Sequence, residues 1–177
     1  MEMVEVLTST GAPTSTIISR NEAHSKGLWH KTVHVWLQNR TGEILLQKRA
    51  ATKESHPGLW DISCAGHVGA GDSSSETAVR ELREELGISI AANVLQNVFS
   101  IAQRYENHAN AYYDNEIVDV YLCGVPVEME QLTPDPAEVS DLGFITINQL
   151  KQKVLEKDSS LVPHEEEYRR LFAIVLS

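Results

Sequence analysis

The sequence predicts an α/β fold, a sandwich of strands and helices that begins with a β-hairpin. Three observations predict it. Short β-prone runs recur from residue 4 to residue 147, one amphipathic helical stretch interrupts them at residues 78–86, and two further stretches with helical spacing close the chain. At 177 residues the chain, residues 1–177, is long enough for one domain with a substantial core and hardly long enough for two.

Residues 4–7 and 16–19 are β-prone and flank Gly11-Ala12-Pro13-Thr14, which reads as an N-terminal hairpin. Residues 21–27 are polar and read as a loop. From His30 to Leu37 the chain alternates, with Val33, Val35 and Leu37 on one face and His30, Thr32, His34 and Trp36 on the other. Arg40-Thr41-Gly42 gives a turn, and residues 43–49 read as the hairpin partner of that strand. His30 and His34 share a face but stand about 13 Å apart at 3.3 Å per residue, too far to bind one ion from a regular strand. Residues 60–65 form another strand, which delivers the chain into a glycine loop. Residues 94–104 and 116–123 are long strands, joined by residues 103–115 as a loop. An acidic, Pro-containing loop at 133–140 leads to a strand at 142–147. Helices at 148–157 and 165–176 follow the apolar spacing of Leu150, Val154 and Leu155 and of Tyr168, Leu171, Phe172 and Val175.

Composition narrows the function. Apolar content of 42% and charged content of 23% are ordinary for a soluble globular protein. Neither a membrane span nor a signal peptide is visible, so a cytoplasmic location is expected. A net charge of −10 argues against a nucleic-acid backbone as partner, yet it leaves room for a small anionic ligand held by a local cationic patch and a metal. Cys64 and Cys123 are too few for a disulfide framework and are taken as reduced; Cys64 is more simply a core thiol than a nucleophile. A monomer or a homodimer is expected.

The chemistry concentrates between Gly66 and Ile88. Ser73 and Glu76 fit a capping box, Gly87 supplies a stop, and Ala78, Val79, Leu82 and Leu86 make an apolar stripe. Glu81, Glu84 and Glu85 therefore project together on an outward acidic face. Like charges at these spacings cost roughly 0.2–0.5 kcal/mol per pair, and a hard divalent cation such as Mg²⁺ or Mn²⁺ would relieve that repulsion. Gly66, Gly69 and Gly71 let the backbone approach a ligand just where helix N–H groups point outward.

These residues resemble the signature of the Nudix hydrolases. Gly66, Arg80, Glu81, Leu82, Glu84, Glu85, Gly87 and Ile88 all fall in register, and Asp72 stands where the signature has its first Glu. The resemblance implies a Nudix-type α/β/α sandwich with a mixed sheet, and a single Nudix hydrolase domain. It also implies Mg²⁺- or Mn²⁺-dependent cleavage of a small anionic diphosphate. Glu81, Glu84 and Glu85 would hold the metal with the Gly66 carbonyl, and Glu81, Glu84 or Glu116 would act in catalysis, with Glu138 a further candidate base.

Residues 30–50, Pro57-Gly58-Leu59-Trp60, Gly66-His67 and Asn115-Glu116 further resemble the branch containing type I isopentenyl diphosphate isomerase. That isomerase's catalytic cysteine falls on Ala65, with Cys64 one residue earlier and facing the opposite way, and Glu81 stands where the isomerase has a basic residue. Hydrolase chemistry on an isomerase framework is the leading expectation; isomerase-type activity and a non-catalytic diphosphate-binding module are the alternatives. The resemblance places phosphate contacts on Arg49 and Lys53, with His67 also binding substrate. It places a second metal on His30, His67 and Glu116, with further ligands near His24 and on Asp114.

Overall fold

Strand pairing in a computed structural model of the chain, which describes residues 2–175, divides the β-structure into three sheets. Strands β1 (Met3–Leu7) and β2 (Pro13–Ser19) form the expected antiparallel hairpin. A mixed four-stranded sheet is built from β3 (His30–Trp36), β6 (Cys64–His67), β7 (Leu95–Asn107) and β8 (Tyr112–Cys123), in the order β6-β3-β8-β7. Only the β3–β8 pair is parallel. A three-stranded antiparallel sheet orders β5 (Trp60–Asp61), β4 (Ile44–Arg49) and β9 (Val139–Ile145) as β5-β4-β9.

Helix α2 (Ser74–Leu86) covers one side of this assembly, and α3 (Ile147–Leu155) with α4 (Glu165–Val175) covers the other. Val33, Val35, Leu37 and Cys64 pack with Leu82 and Leu86 of α2. Trp36, Val118 and Val120 pack with Leu150, Tyr168 and Leu171 of α3 and α4. The alternation along β3 thus sends its residues into two separate cores, which makes the α/β/α sandwich. Burying leucines such as Leu82 and Leu86 contributes about 1.5–3 kcal/mol each. No helix among the described residues is long and apolar enough to cross a membrane.

Four local expectations are corrected. Residues 21–27 are not a loop: α1 (Arg20–Lys26) is capped by Ser19, whose side chain accepts from Glu22 N, and stopped by Gly27 at φ 61°. Seven residues are too few for an apolar period to show. Residues 43–49 do not form a ladder with β3, because both edges of β3 are taken by β6 and β8; β4 instead joins the second sheet, touching the first only around Gln38 and Ile44. The 60–65 run is two strands in two sheets, divided at Ile62-Ser63. Ser63 sits at the seam, accepting from Leu37 N and donating to Leu45 O. Residues 103–115 are not a free loop but the far half of a long β7–β8 hairpin, turned by a single 3₁₀ turn at His108–Asn110. The closing helix is described to Val175; Leu176 lies outside the described residues, as do Met1 and Ser177.

Candidate active site

The acidic helix is locally well specified. Ser73 Oγ accepts from Glu76 N and the Glu76 carboxylate accepts from Ser73 N, completing the capping box, and Gly87 ends the helix in the left-handed conformation at φ 70°. With Ala78, Leu82 and Leu86 fully buried, the helix has one orientation available, and this turns Glu81 and Glu85 into a cleft rather than out to solvent. Glu81 is 9% exposed and Glu85 6%. Glu84 stays on the rim, paired with Arg80 at 3.0 Å, so the three carboxylates border one cavity of about 720 Å³ without sharing one environment.

The glycine loop is fitted to these side chains. A Cβ on Gly66 would lie 2.1 Å from Glu81 Cδ, so glycine at this position makes room for the Glu81 side chain as it is placed here. Asp72 folds back over Gly69, where a Cβ would meet its Oδ2 at 2.6 Å, and Asp72 also borders the cavity. Glu85 Oε2 accepts from Gln47 Nε2 at 3.3 Å and from Ala65 N at 3.4 Å. Arg80 bridges Glu81 at 2.8 Å, Glu84, and the His67 carbonyl at 3.1 Å. Burial pushes Glu81 up to about 8, opposed by Arg80 and reinforced by Glu85 and Glu84. Burial also raises Glu85, against the pull of Lys53. Two buried acids with raised proton affinity could hold a hard divalent cation.

A second set of donors converges beside the first. His24 of α1, His30 of β3, His67 of β6 and Asp114 of β8 each place a ligand atom within 4.8 Å of the others. The Nε2 atoms of His30 and His67 both lie 3.3 Å from His24 Nε2. Asp114 Oδ1 is buried among them with no hydrogen-bond partner. Burial lowers the pKa of His30 and takes that of His67 well below its ordinary value, leaving neutral rings with lone pairs to offer. Glu116 stands alongside, 3.8 Å from His67 Nε2, and burial together with Asp114 pushes it well above the usual carboxylate range. The structure thus brings His30, His67 and Glu116 together, and adds His24 and Asp114 nearer the convergence point.

Both cations expected to grip phosphate border the cavity, but each already has an acidic partner. Arg49 binds Asp61 at 2.9 Å and the Ser55 carbonyl, and Lys53 is paired with Glu138. An anionic ligand must therefore compete with carboxylates for them. Ala65 borders the cavity, whereas Cys64 is fully buried in the α2 core, where burial and Glu85 push its thiol well above the ordinary value.

Sequence reasoning missed a buried polar cluster behind the cleft, of which His34, Asp61 and His164 border the cavity. Glu167 of α4, fully buried, accepts from Trp36 Nε1 and His34 Nδ1, both at 2.7 Å. Burial opposes charge on both members of the His34–Glu167 pair, yet their mutual attraction raises His34 and lowers Glu167. Beside them His164 Nε2 donates to Asp61 Oδ1 at 2.8 Å. His34, His164 and Glu167 also fall within 4.8 Å of one another, with both Glu167 oxygens, His34 Nδ1 and His164 Nε2 engaged in these hydrogen bonds. One signal was available: Glu167 is four residues before Leu171 and so shares its inward stripe, although it sits in a Glu165-Glu166-Glu167 run that reads as an exposed first turn.

Comparisons with known proteins bear on the family and the fold. The NUDIX domain model matches residues 28–164. Nudix hydrolase 3 of Arabidopsis thaliana is 36% identical over 179 residues, covering 98% of this chain but only 23% of that protein. An isopentenyl-diphosphate Delta-isomerase of Cereibacter sphaeroides is 34% identical over 148 residues, 82% of this chain and 80% of its own. Among solved structures, DR0079 from Deinococcus radiodurans superposes with a TM-score of 0.70 at 19% identity, covering 96% of this chain and 98% of its own, a likeness of fold.

Proposed function

The chain belongs to the Nudix family, and we propose that it is a Mg²⁺- or Mn²⁺-dependent hydrolase that cleaves a diphosphate linkage in a small molecule, with residues 1–177 acting as one domain. The observation that carries this reading is the pair Glu81 and Glu85, both buried, the first against Gly66 and the second against the Ala65 amide, and both bordering a cleft of about 720 Å³. The donors fit the metal. Carboxylate oxygens with raised proton affinity, and a glycine whose Cβ would collide with one of them, suit a hard divalent ion. Glu81, Glu84 and Glu85 would hold it with the Gly66 carbonyl, and His24, His30, His67 and Asp114, with Glu116 beside them, would hold a second. Such ions supply charge neutralisation at phosphate and a lowered pKa for bound water.

The chain's own groups do the rest. Arg80 braces Glu81 and Glu84 and ties them to the His67 carbonyl, which fixes the carboxylates relative to β6. Arg49 and Lys53, drawn from Asp61 and Glu138, would grip the phosphates. Glu116, Glu84 or Glu138 would take the proton from the attacking water. Isomerase chemistry is disfavoured by Ala65, which presents a methyl group to the cavity where that chemistry needs a thiol, and by the depth at which Cys64 is buried.

A screen over prenyl, thiamine-type and nucleoside diphosphate compounds with Mg²⁺ and Mn²⁺ tests the proposal. Metal-dependent phosphate or phosphomonoester release is expected from at least one class. Deuterium incorporation into isopentenyl diphosphate in deuterated water, with no hydrolysis of any class, would replace it with the isomerase reading.

The shift of Glu81 has a consequence for stability. Its folded-state value of about 8 lies above the ordinary 4.5, so the folded protein holds a proton that the unfolded chain has lost. Metal-free stability is therefore greatest below pH 4.5 as far as this group is concerned, and declines as pH rises towards 8. Mg²⁺ must displace that proton, so its affinity rises over the same range. Thermal melts across this range, with and without Mg²⁺, should show the metal-induced gain in Tm widening with pH; a constant gain would mean Glu81 is not a ligand.

A further inference from the structure

Strand β4 carries a polar side chain where its pattern calls for an apolar one. Leu45 and Gln47 lie two apart and so share the face of β4 that packs towards α2, and the residue directly opposite Gln47 on β9 is Leu142. Leu45 is fully buried and Gln47 is only 3% exposed. The Gln47 amide is half used. Its Nε2 donates to Glu85 Oε2 at 3.3 Å, whereas its Oε1 is buried with no hydrogen-bond partner. A buried carbonyl left in that state costs stability, and an apolar side chain of the same length would fill the space without that cost. The fold alone therefore gives no reason for an amide at this position.

A reason lies at the other end of the contact. Glu85 Oε2 also accepts from Ala65 N at 3.4 Å, so a donor from β4 and a donor from β6, strands of two different sheets, meet the same oxygen. Neither claims Oε1, and Glu85 borders the cavity. The Cys64 thiol, a weaker donor, also contacts this carboxyl. One backbone N–H leaves a carboxyl free to turn about its last bond; a second donor on the same oxygen, fixed to a different sheet, stops that turn. The contact does not depend on whether Glu85 carries a proton. An ionised carboxylate takes the NH₂, and a protonated one can offer its O–H to the same amide turned over, a pairing that no apolar side chain supplies.

We propose that Gln47 is a positioning residue for Glu85: by holding Oε2 from the second sheet, it leaves the other oxygen, Oε1, to the cation site. The role rests on the proposed function in taking Glu85 as a metal ligand. Gln47 lies outside the Gly66–Ile88 motif and acts on the carboxylate rather than on the metal.

Calorimetric titration of the metal-free protein with Mn²⁺, paired with melting curves, tests this in Q47M, which keeps the length of the side chain and removes the amide. The Mn²⁺ binding event that E85Q loses is expected to weaken about tenfold in Q47M. Metal-free Tm should stay level with the wild type or rise, because the orphaned carbonyl goes with the amide. Q47L should reproduce both results. With a substrate from the screen, Q47M should need about tenfold more Mg²⁺ for half-maximal rate. A purely structural glutamine would give the reverse pattern, unchanged Mn²⁺ affinity with a lower Tm, and that result would overturn the proposal. Weakened binding in E85Q with wild-type affinity in Q47M would likewise overturn the positioning role while leaving the proposed function standing. Mn²⁺ bound as tightly by E85Q as by the wild type would instead remove Glu85 from the proposed function, and the role of Gln47 with it.

Discussion

Glu85→Gln lowers metal-dependent diphosphate hydrolysis by about three orders of magnitude, equivalent to about 4 kcal/mol of transition-state stabilisation, with the fold intact. The substitution keeps the shape of a side chain that is 6% exposed and removes the charge the metal needs. Folding should not suffer, because burial already disfavours the ionised form of Glu85 and a neutral amide removes that penalty. Metal-free E85Q is therefore expected to melt at or above the wild-type temperature, and the increase in Tm on adding Mg²⁺ should shrink. Steady-state rates paired with melting curves check both halves. An enzyme with full activity would show that the acidic helix is not the catalytic centre, and a large drop in metal-free Tm would mark Glu85 as a structural residue.

Glu167→Ala has the largest expected effect on stability, a loss of about 3–5 kcal/mol. The carboxylate is fully buried and serves two donors, so its removal strands the Trp36 indole N–H and leaves His34 a buried imidazole without its counter-ion. The pH dependence identifies the interaction. Glu167, lowered from 4.5, contributes stability above that value and loses it as pH falls through the folded value. His34, raised from 6.5, contributes fully below that value and loses it as pH rises through the folded one. Urea denaturation should therefore show the greatest wild-type advantage between about pH 4.5 and 6.5, narrowing on either side. A difference that is flat with pH would mean the pair is not ionised and that only hydrogen bonding is lost.

How much of this was legible in the sequence follows from the range of the interactions involved. Helix α2 could be read to its caps because everything that specifies it, Ser73, Glu76, the apolar stripe and Gly87, lies within one short segment. Closing helices α3 and α4 were legible for the same reason. Helix α1 escaped because it spans under two turns. Which sheet β4 joins was not readable, because nothing local to residues 43–49 records that β6 and β8 had already filled both sides of β3. The site divides in the same way. Gly66, Glu81, Glu84 and Glu85 sit in one spaced motif, and geometry adds only that Glu81 and Glu85 turn inward while Glu84 stays at the rim. The convergence of His24, His30, His67 and Asp114 draws on four elements, and the Glu167–His34 and His164–Gln103 contacts span 133 and 61 residues. No local pattern carries such pairings.

That span of 133 residues has a consequence for how the protein is made. During synthesis α2 can form and pack on β3 and β6 as soon as those strands have left the ribosome. The polar cluster behind the cleft cannot be finished then, because His34 and Trp36 must wait for a carboxylate that is translated long after them. At roughly 5–20 residues per second the wait is on the order of ten seconds. The Glu167 contacts to His34 and Trp36 therefore form only after α4 has been translated.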